Sequence, residues 1–194
     1  MTFEGYEAEE DPYLYKGSTC LKNRLGLRDP LRLADFELEI STLRAEEPLP
    51  DGRFTPTHYR KVHWHLFRDV YRWAGHYRTI RTGKGGNWFC YPEYIPTEMD
   101  KLFRRLHGAE FCSGVAEDRF LDSVTEFLAD LNAVHPFREG NGRAQLAFTD
   151  LLACRAGWPL DFTKIQQQTF LPAMIASFGG KIDPLRTELK ELRP

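Results

Sequence analysis

Between residues 117 and 134 the apolar side chains Phe120, Val124, Phe127, Leu128, Leu131 and Val134 recur at intervals of three and four. That spacing puts them on one stripe of a helix, with Asp122, Glu126 and Asp130 on other faces. The pattern predicts an amphipathic helix over 117–134 that runs into His135 and is ended with the help of Pro136. A second helix is predicted from Asn141 to Ala156, with Ala144, Ala147, Phe148, Leu151 and Leu152 inward and Gly157 as its C′ residue. Upstream, Leu33, Phe36, Ile40 and Leu43 predict a helix over 31–46, broken by "EEPLPDGRF". Thr55 reads as an N-cap with Pro56 at the first helical position. The helix that follows carries Tyr59, Val62, Leu66, Phe67 and Val70 and is expected to end near Gly75. Residues 78–95, "RTIRTGKGGNWFCYPEYI", combine three glycines with β-prone aromatics and predict a hairpin-like loop. Helical period returns over 97–106, a glycine-containing break follows at 108–114, and one or two helices fit 162–178 and 183–192. Residues 1–30 read as irregular. Six to eight helices and one short hairpin make a mainly α fold.

Composition narrows the class. The chain has 194 residues, 42% of them hydrophobic, enough for a core in one domain. Its net charge of −2 argues against a general electrostatic grip on nucleic acid or an anionic membrane. No apolar run approaches the roughly 18–20 residues of a membrane span, and the acidic start "MTFEGYEAEEDPY" lacks the form of a signal peptide. Cys20, Cys90, Cys112 and Cys154 are widely spaced, which predicts free thiols in a reducing compartment rather than a disulfide framework or zinc site. His58, His63 and His65 do not share one helix face, so a structural or surface role is expected for them. "TGKGG" lacks the residues a P-loop needs.

The chemistry gathers in "HPFREGNGRAQL", residues 135–146. A helix delivers His135 at its end, a tight loop follows, and a new helix begins with Gly140, Asn141 and Gly142 in or beside its first turn. The first N–H groups of a helix lack internal partners and the dipole is positive there. With glycines allowing close approach, this is an anion site of the phosphate-binding kind. Arg143 can add a charge-assisted contact. Glu139 beside a bound phosphate calls for a cation, and Mg²⁺ held by Glu139 and phosphate oxygens meets that need. His135 is then a base within reach of the phosphate under attack. Base, metal ligand and anion cradle together point to phosphoryl or nucleotidyl transfer. The same residues also admit a structural reading: a helix-ending histidine, a Gly-Asn-Gly turn, and Glu139 with Arg143 as an ordinary i, i+4 pair.

"HPFREGNGR" matches the Fic-family signature H-x-F-x-[DE]-G-N-G-R at every position. The likeness continues in "LNAVHPFREGNGRAQL…LLACRAGWPLDFTKI", "HYRKVHWHLFRDVYRWAGHYRTIR", "TGKGGNWFCYPEYI" and "YLYKGSTCLKNRLGLRDP". It covers about residues 12–170 of a single Fic domain, with a flap at about 80–92 and a C-terminal helical extension at about 171–194. The resemblance implies a mainly helical enzyme that transfers the AMP part of ATP to a protein Ser, Thr or Tyr hydroxyl and releases pyrophosphate. It implies His135 as general base, Phe137 as the residue that fixes the loop, and Glu139 as the Mg²⁺ ligand. Gly140, Asn141 and Gly142 become the anion hole and Arg143 the β-phosphate contact. The flap would pair with a segment of the target protein along its backbone edge. Trp88 and Phe89 are candidates to pin the target side chain, with core packing an equal reading for Phe89. Lys84 is a candidate ligand contact but reads better as a solvated turn residue.

One position departs from the family pattern. A second arginine is usual three residues after Arg143, where it reaches the γ-phosphate and receives the family's inhibitory glutamate; here it is Leu146. Weaker ATP binding, another nucleotide or phosphate donor, or a degenerate non-catalytic binding module each follow from that change. Retained α-phosphate chemistry is the favoured reading, because every group from 135 to 143 remains. The inhibitory motif [ST]-x-x-x-E-[GN] is incomplete at Thr42–Glu46 and Thr187–Glu191, so no internal inhibitory helix is expected. A toxin or effector type is implied, with a small separate antitoxin as partner. The expected location is the bacterial cytoplasm, or a host cell for a translocated effector, with neither nucleic acid nor membrane as a direct partner.

Overall fold

A computed structural model of the chain describes residues 11–194. Among the described residues there are seven α-helices and one two-stranded hairpin: α1 Pro30–Glu46, α2 Pro56–Phe67, β1 Gly83–Lys84, β2 Asn87–Trp88, α3 Ile95–Gly108, α4 Glu117–Val134, α5 Asn141–Ala156, α6 Gln167–Phe178 and α7 Asp183–Glu191. The mainly α fold is therefore as the periodicity predicts.

Helix α4 is the axis of the molecule, packed against α3, α5, α6 and α7. Its apolar stripe is wholly buried from Phe120 to Val134. Rings of Tyr59, Phe103, Phe127 and Phe148 meet around α5 at centroid distances of 5.3–6.2 Å. Each such buried side chain contributes about 1.5–3 kcal/mol, so this aromatic cluster is what fixes α2, α3, α4 and α5 against one another.

The helix starts follow local chemistry. Asp29 Oδ1 accepts from Leu31 N–H at 2.9 Å and Arg32 N–H at 3.4 Å, with Pro30 opening α1. Thr55 Oγ1 accepts from His58 N–H at 3.2 Å, with Pro56 next. Both pairs satisfy donors that the helix cannot. Helix α5 closes on Gly157 at φ +83°, the left-handed C′ position.

Two expectations are corrected. Helix α2 ends at Phe67, not near Gly75. The N–H groups of Val70 and Tyr71 both turn back onto the Phe67 carbonyl, so a turn replaces the helical ladder while both side chains stay buried. On α1 the buried stripe is Leu33, Glu37 and Ser41, while Leu43 is 51% exposed. The inner face of α1 is polar where it meets the start of α5.

Among the described residues no helix is long and apolar enough to cross a membrane. The four cysteines are free.

Candidate active site

The site is assembled where α4 stops and α5 starts. His135 takes φ +47°, the left-handed region, and its N–H still bonds to the Leu131 carbonyl. This strained cap turns the chain out of α4 into the loop 136–140. Asn141 then fastens the loop: its Oδ1 accepts from Phe137 N–H at 2.9 Å and its Nδ2 donates to the Phe137 carbonyl at 2.8 Å. Phe137 is fully buried, stacked on His63 at 3.7 Å.

His63 supports the loop a second time. Its Nε2 donates to the Glu139 carbonyl at 2.9 Å and its Nδ1 accepts from Gly75 N–H at 2.9 Å. Those bonds fix the neutral tautomer, and burial pushes its pKa down to about 3. Arg138 points the other way, into a buried ion pair with Asp11, Nε to Oδ2 at 2.7 Å.

Gly140 is the second left-handed residue, at φ +78°. A Cβ there would lie 2.3 Å from the Phe67 ring, so no side chain fits. The contrast is Gly142, exposed in the first turn of α5, where a Cβ would meet nothing within 4 Å. The first turn of α5 carries no acidic residue and Gly140 offers no side-chain cap. Open space thus lies over N–H groups that have no helical partner, at the positive end of the dipole. That geometry suits a phosphate.

Arg143 flanks this space. Its guanidinium lies 4.7 Å over the Phe67 ring, its Nη1 donates to Ser41 Oγ at 2.8 Å, and its Nη2 is paired with the Glu37 carboxylate. The other Glu37 oxygen accepts from the Tyr71 hydroxyl. Glu139 is half-buried, and its Oε1 accepts from Gly140 N–H at 2.9 Å. Burial, followed by the charge of Glu37, holds the Glu139 carboxyl above the usual carboxylate range.

His135 is largely buried, at 8% exposed. Burial, then the nearby Arg78 guanidinium, pushes its pKa down to about 3. Its imidazole is neutral at physiological pH, as a proton acceptor must be. The Phe89 ring lies parallel to it at 3.8 Å and is itself edged by Phe178 at 5.7 Å.

The hairpin at 83–88 turns through Gly85 and Gly86, both at positive φ. Two consecutive positive φ values match the twist of a two-residue hairpin. Gly83 pairs with Trp88 and Lys84 with Asn87. Trp88 is 45% exposed, Lys84 is exposed, and Phe89 is buried against His135. Trp88 and Lys84 thus face solvent, Phe89 packs against His135, and the Lys84 charge is near enough to help push the His135 pKa down.

Arg78 joins the hairpin to the loop. It is 2% exposed and donates to the carbonyls of Ile80, Cys90, Val134 and His135 at 2.5–3.2 Å, while its own N–H bonds to Pro136. The sequence reading missed Arg78, Glu37, Arg138 and Asp11. For Glu37 a signal existed: Leu33, Glu37 and Ser41 stand at i, i+4 and i+8, so a carboxylate lies on the line that faces inward. For Arg78 and Asp11 the sequence holds no such signal, because their partners are backbone carbonyls and a residue 127 positions away. Leu146 is half-buried and packs on the core.

Comparison with known proteins gives one answer. The model of the Fic/DOC family matches residues 53–153. The chain is 47% identical over 188 residues to a protein of Sinorhizobium fredii (strain NBRC 101917 / NGR234) named "Probable protein adenylyltransferase y4lH", spanning 96% of this chain and 98% of that one. It is 34% identical over 178 residues to "Probable protein adenylyltransferase Fic" of Salmonella typhimurium, spanning 91% and 88%. Among solved structures, the N-terminal Fic domain of a VirB-translocated Bep effector protein from Bartonella quintana, with bound ADP, superposes with a TM-score of 0.85 at 30% identity and 93% coverage of each chain. The chain is a member of the Fic/DOC family.

Proposed function

We propose that this chain is a protein adenylyltransferase that moves the AMP part of ATP onto a Ser, Thr or Tyr hydroxyl of a target protein. The observation that carries the reading is the meeting of a buried, neutral His135 with the open N-terminus of α5 at Gly142, flanked by Arg143. The names of the relatives point the same way, and so does the ADP in the Bartonella quintana structure.

The residues divide the work. Phosphate oxygens lie against the N–H groups of Asn141, Gly142 and Arg143, which are preorganised and need no rearrangement as charge develops. The target hydroxyl gives its proton to His135 as its oxygen bonds to the α-phosphorus. The bond from that phosphorus to the bridging oxygen breaks, and pyrophosphate leaves. Arg143 stabilises charge on the leaving group. Phe137 holds the loop at the geometry this requires.

Glu139 fits a Mg²⁺ site, since its carboxylate is half-buried, raised by burial and by Glu37, and adjacent to the phosphate cradle. Mg²⁺ takes one or two protein carboxylates together with substrate phosphates, and bound there it would neutralise phosphate charge.

The target segment would pair with the exposed edge of the hairpin, Trp88 pinning its side chain while Phe89 buttresses His135. The protein would act as a toxin on endogenous proteins or as an effector in a host, held in check by a small antitoxin.

Incubation with cell lysate, Mg²⁺ and ATP labelled at the α-phosphate should label proteins, whereas γ-labelled ATP should not. Transfer of the γ-label would replace this reading with phosphorylation. Leu146 favours a second reading, another nucleoside triphosphate as donor, because the usual γ-phosphate arginine is absent. A thermal-shift panel of nucleotides decides it: selective stabilisation by a non-adenine nucleotide supports that second donor.

A further inference from the structure

Arg143 is held by side chains that no motif joins to it. Glu37 and Ser41 stand one turn apart on the inner face of α1 and both engage its guanidinium. Tyr71, from the turn after α2, donates its hydroxyl to the second Glu37 oxygen. Phe67 supplies a ring beneath the guanidinium at 4.7 Å. Glu37 is only 7% exposed and Arg143 retains a side-chain exposure of 34%.

We propose that Glu37, seated by Tyr71, is a positioning residue for the adenylyl transfer: it fixes the guanidinium of Arg143 at the edge of the phosphate cradle. This rests on the nucleotide reading given above. A free arginine side chain holds considerable rotamer entropy, and ordering it at the moment of binding weakens the contact. Here the ordering is done in advance. A guanidinium has five N–H donors, and the bonds to Glu37 and Ser41 use two of them on the side toward α1. The others remain for phosphate oxygens, so donor binding does not require Glu37 to leave. With Leu146 in the next turn, the orientation of Arg143 governs how the terminal phosphates are held.

The alternative arrangement, in which the carboxylate competes with phosphate for Arg143, predicts the opposite sign. The two are separated by a double-mutant cycle on binding of a non-hydrolysable ATP analogue with Mg²⁺, read by calorimetry, using Glu37→Ala, Arg143→Ala and the pair. Glu37→Ala should weaken binding roughly tenfold, the scale of a lost charge-assisted contact. In the Arg143→Ala background the same change should alter binding less than about twofold, because the group it positions is gone. Glu37→Gln, nearly isosteric, should recover part of the affinity, and Tyr71→Phe should show a smaller loss. Transfer assays should place the effect mainly in the KM for donor. Tighter analogue binding by Glu37→Ala would overturn the proposal in favour of competition. An equal loss with and without Arg143 would overturn it in favour of a purely structural role. If the wild-type protein binds neither the analogue nor pyrophosphate, the nucleotide reading itself fails. If the wild type binds and the cycle shows no coupling, only the positioning role fails.

Discussion

The loop 135–143 and the hairpin 83–88 meet where Phe89 stacks on His135, and they are built on opposite principles. The loop has almost every polar group tied inward: Asn141 to Phe137, His63 to Glu139, Arg138 to Asp11, Arg78 to Val134, His135 and Pro136. The hairpin has two residues per strand and an exposed Trp88. On the proposed function the difference fits two tasks: chemistry at phosphorus needs fixed geometry, and recognition of varied protein segments needs an adaptable edge. Arg78 and Phe89 join the two: Arg78 donates to carbonyls on both sides, and the Phe89 ring, just after β2, stacks on His135.

Breaking the loop should therefore cost stability, and breaking the hairpin tip should not. The largest loss is expected for Arg138→Ala, which leaves Asp11 buried without its cation, at about 3–5 kcal/mol in urea unfolding. A loss under about 1 kcal/mol would mean the N-terminal segment does not anchor the loop.

Acid should attack the same region. His63 and His135 are neutral in the fold with pKa near 3 and ordinary once unfolded. The unfolded chain thus binds more protons below pH 6.5, and their stabilising contribution is complete above that pH and lost as pH falls toward 3. Between pH 6.5 and 5.5 the pair should lower stability by roughly 2 kcal/mol, and His63→Gln should reduce that slope. A slope left unchanged by His63→Gln would contradict a buried neutral His63.

Asn141→Ala should cost about 1–3 kcal/mol by leaving the buried Phe137 N–H without its acceptor. At the other end of the scale, Trp88→Ala should change stability by less than about 0.5 kcal/mol while reducing labelling of target proteins. If Trp88→Ala lowered the melting temperature as Asn141→Ala does, the contrast between the two regions would collapse.

Much of this contrast was legible in the chain. The α4 stripe, the Thr55–Pro56 start and Gly157 gave helix positions because each is a local rule acting on neighbours. The nine residues 135–143 were legible as one candidate site because a helix end, a turn and a helix start are contiguous, and the family resemblance, not spacing alone, carried the roles proposed for them. What the sequence withheld is long-range. Glu37 reaches Arg143 across 106 residues, and Asp11 reaches Arg138 across 127. Periodicity placed Leu33, Phe36 and Ile40 toward the core and erred at Leu43, and it gave no place to Glu37 and Ser41, which share the buried face and hold Arg143. Helix α2 was read too long because Val70 continues the apolar spacing although it is buried in the turn that follows the helix.

The central claim is that His135 takes the proton from the target hydroxyl while the α5 N-terminus holds the donor. It is tested most directly by comparing wild type with His135→Ala in two assays on the same samples: binding of a non-hydrolysable ATP analogue, and transfer of α-label to protein. The account predicts analogue binding within about threefold of wild type and transfer reduced by roughly 10²–10⁴, the usual contribution of a general base. Transfer that persists near the wild-type rate in His135→Ala would contradict it.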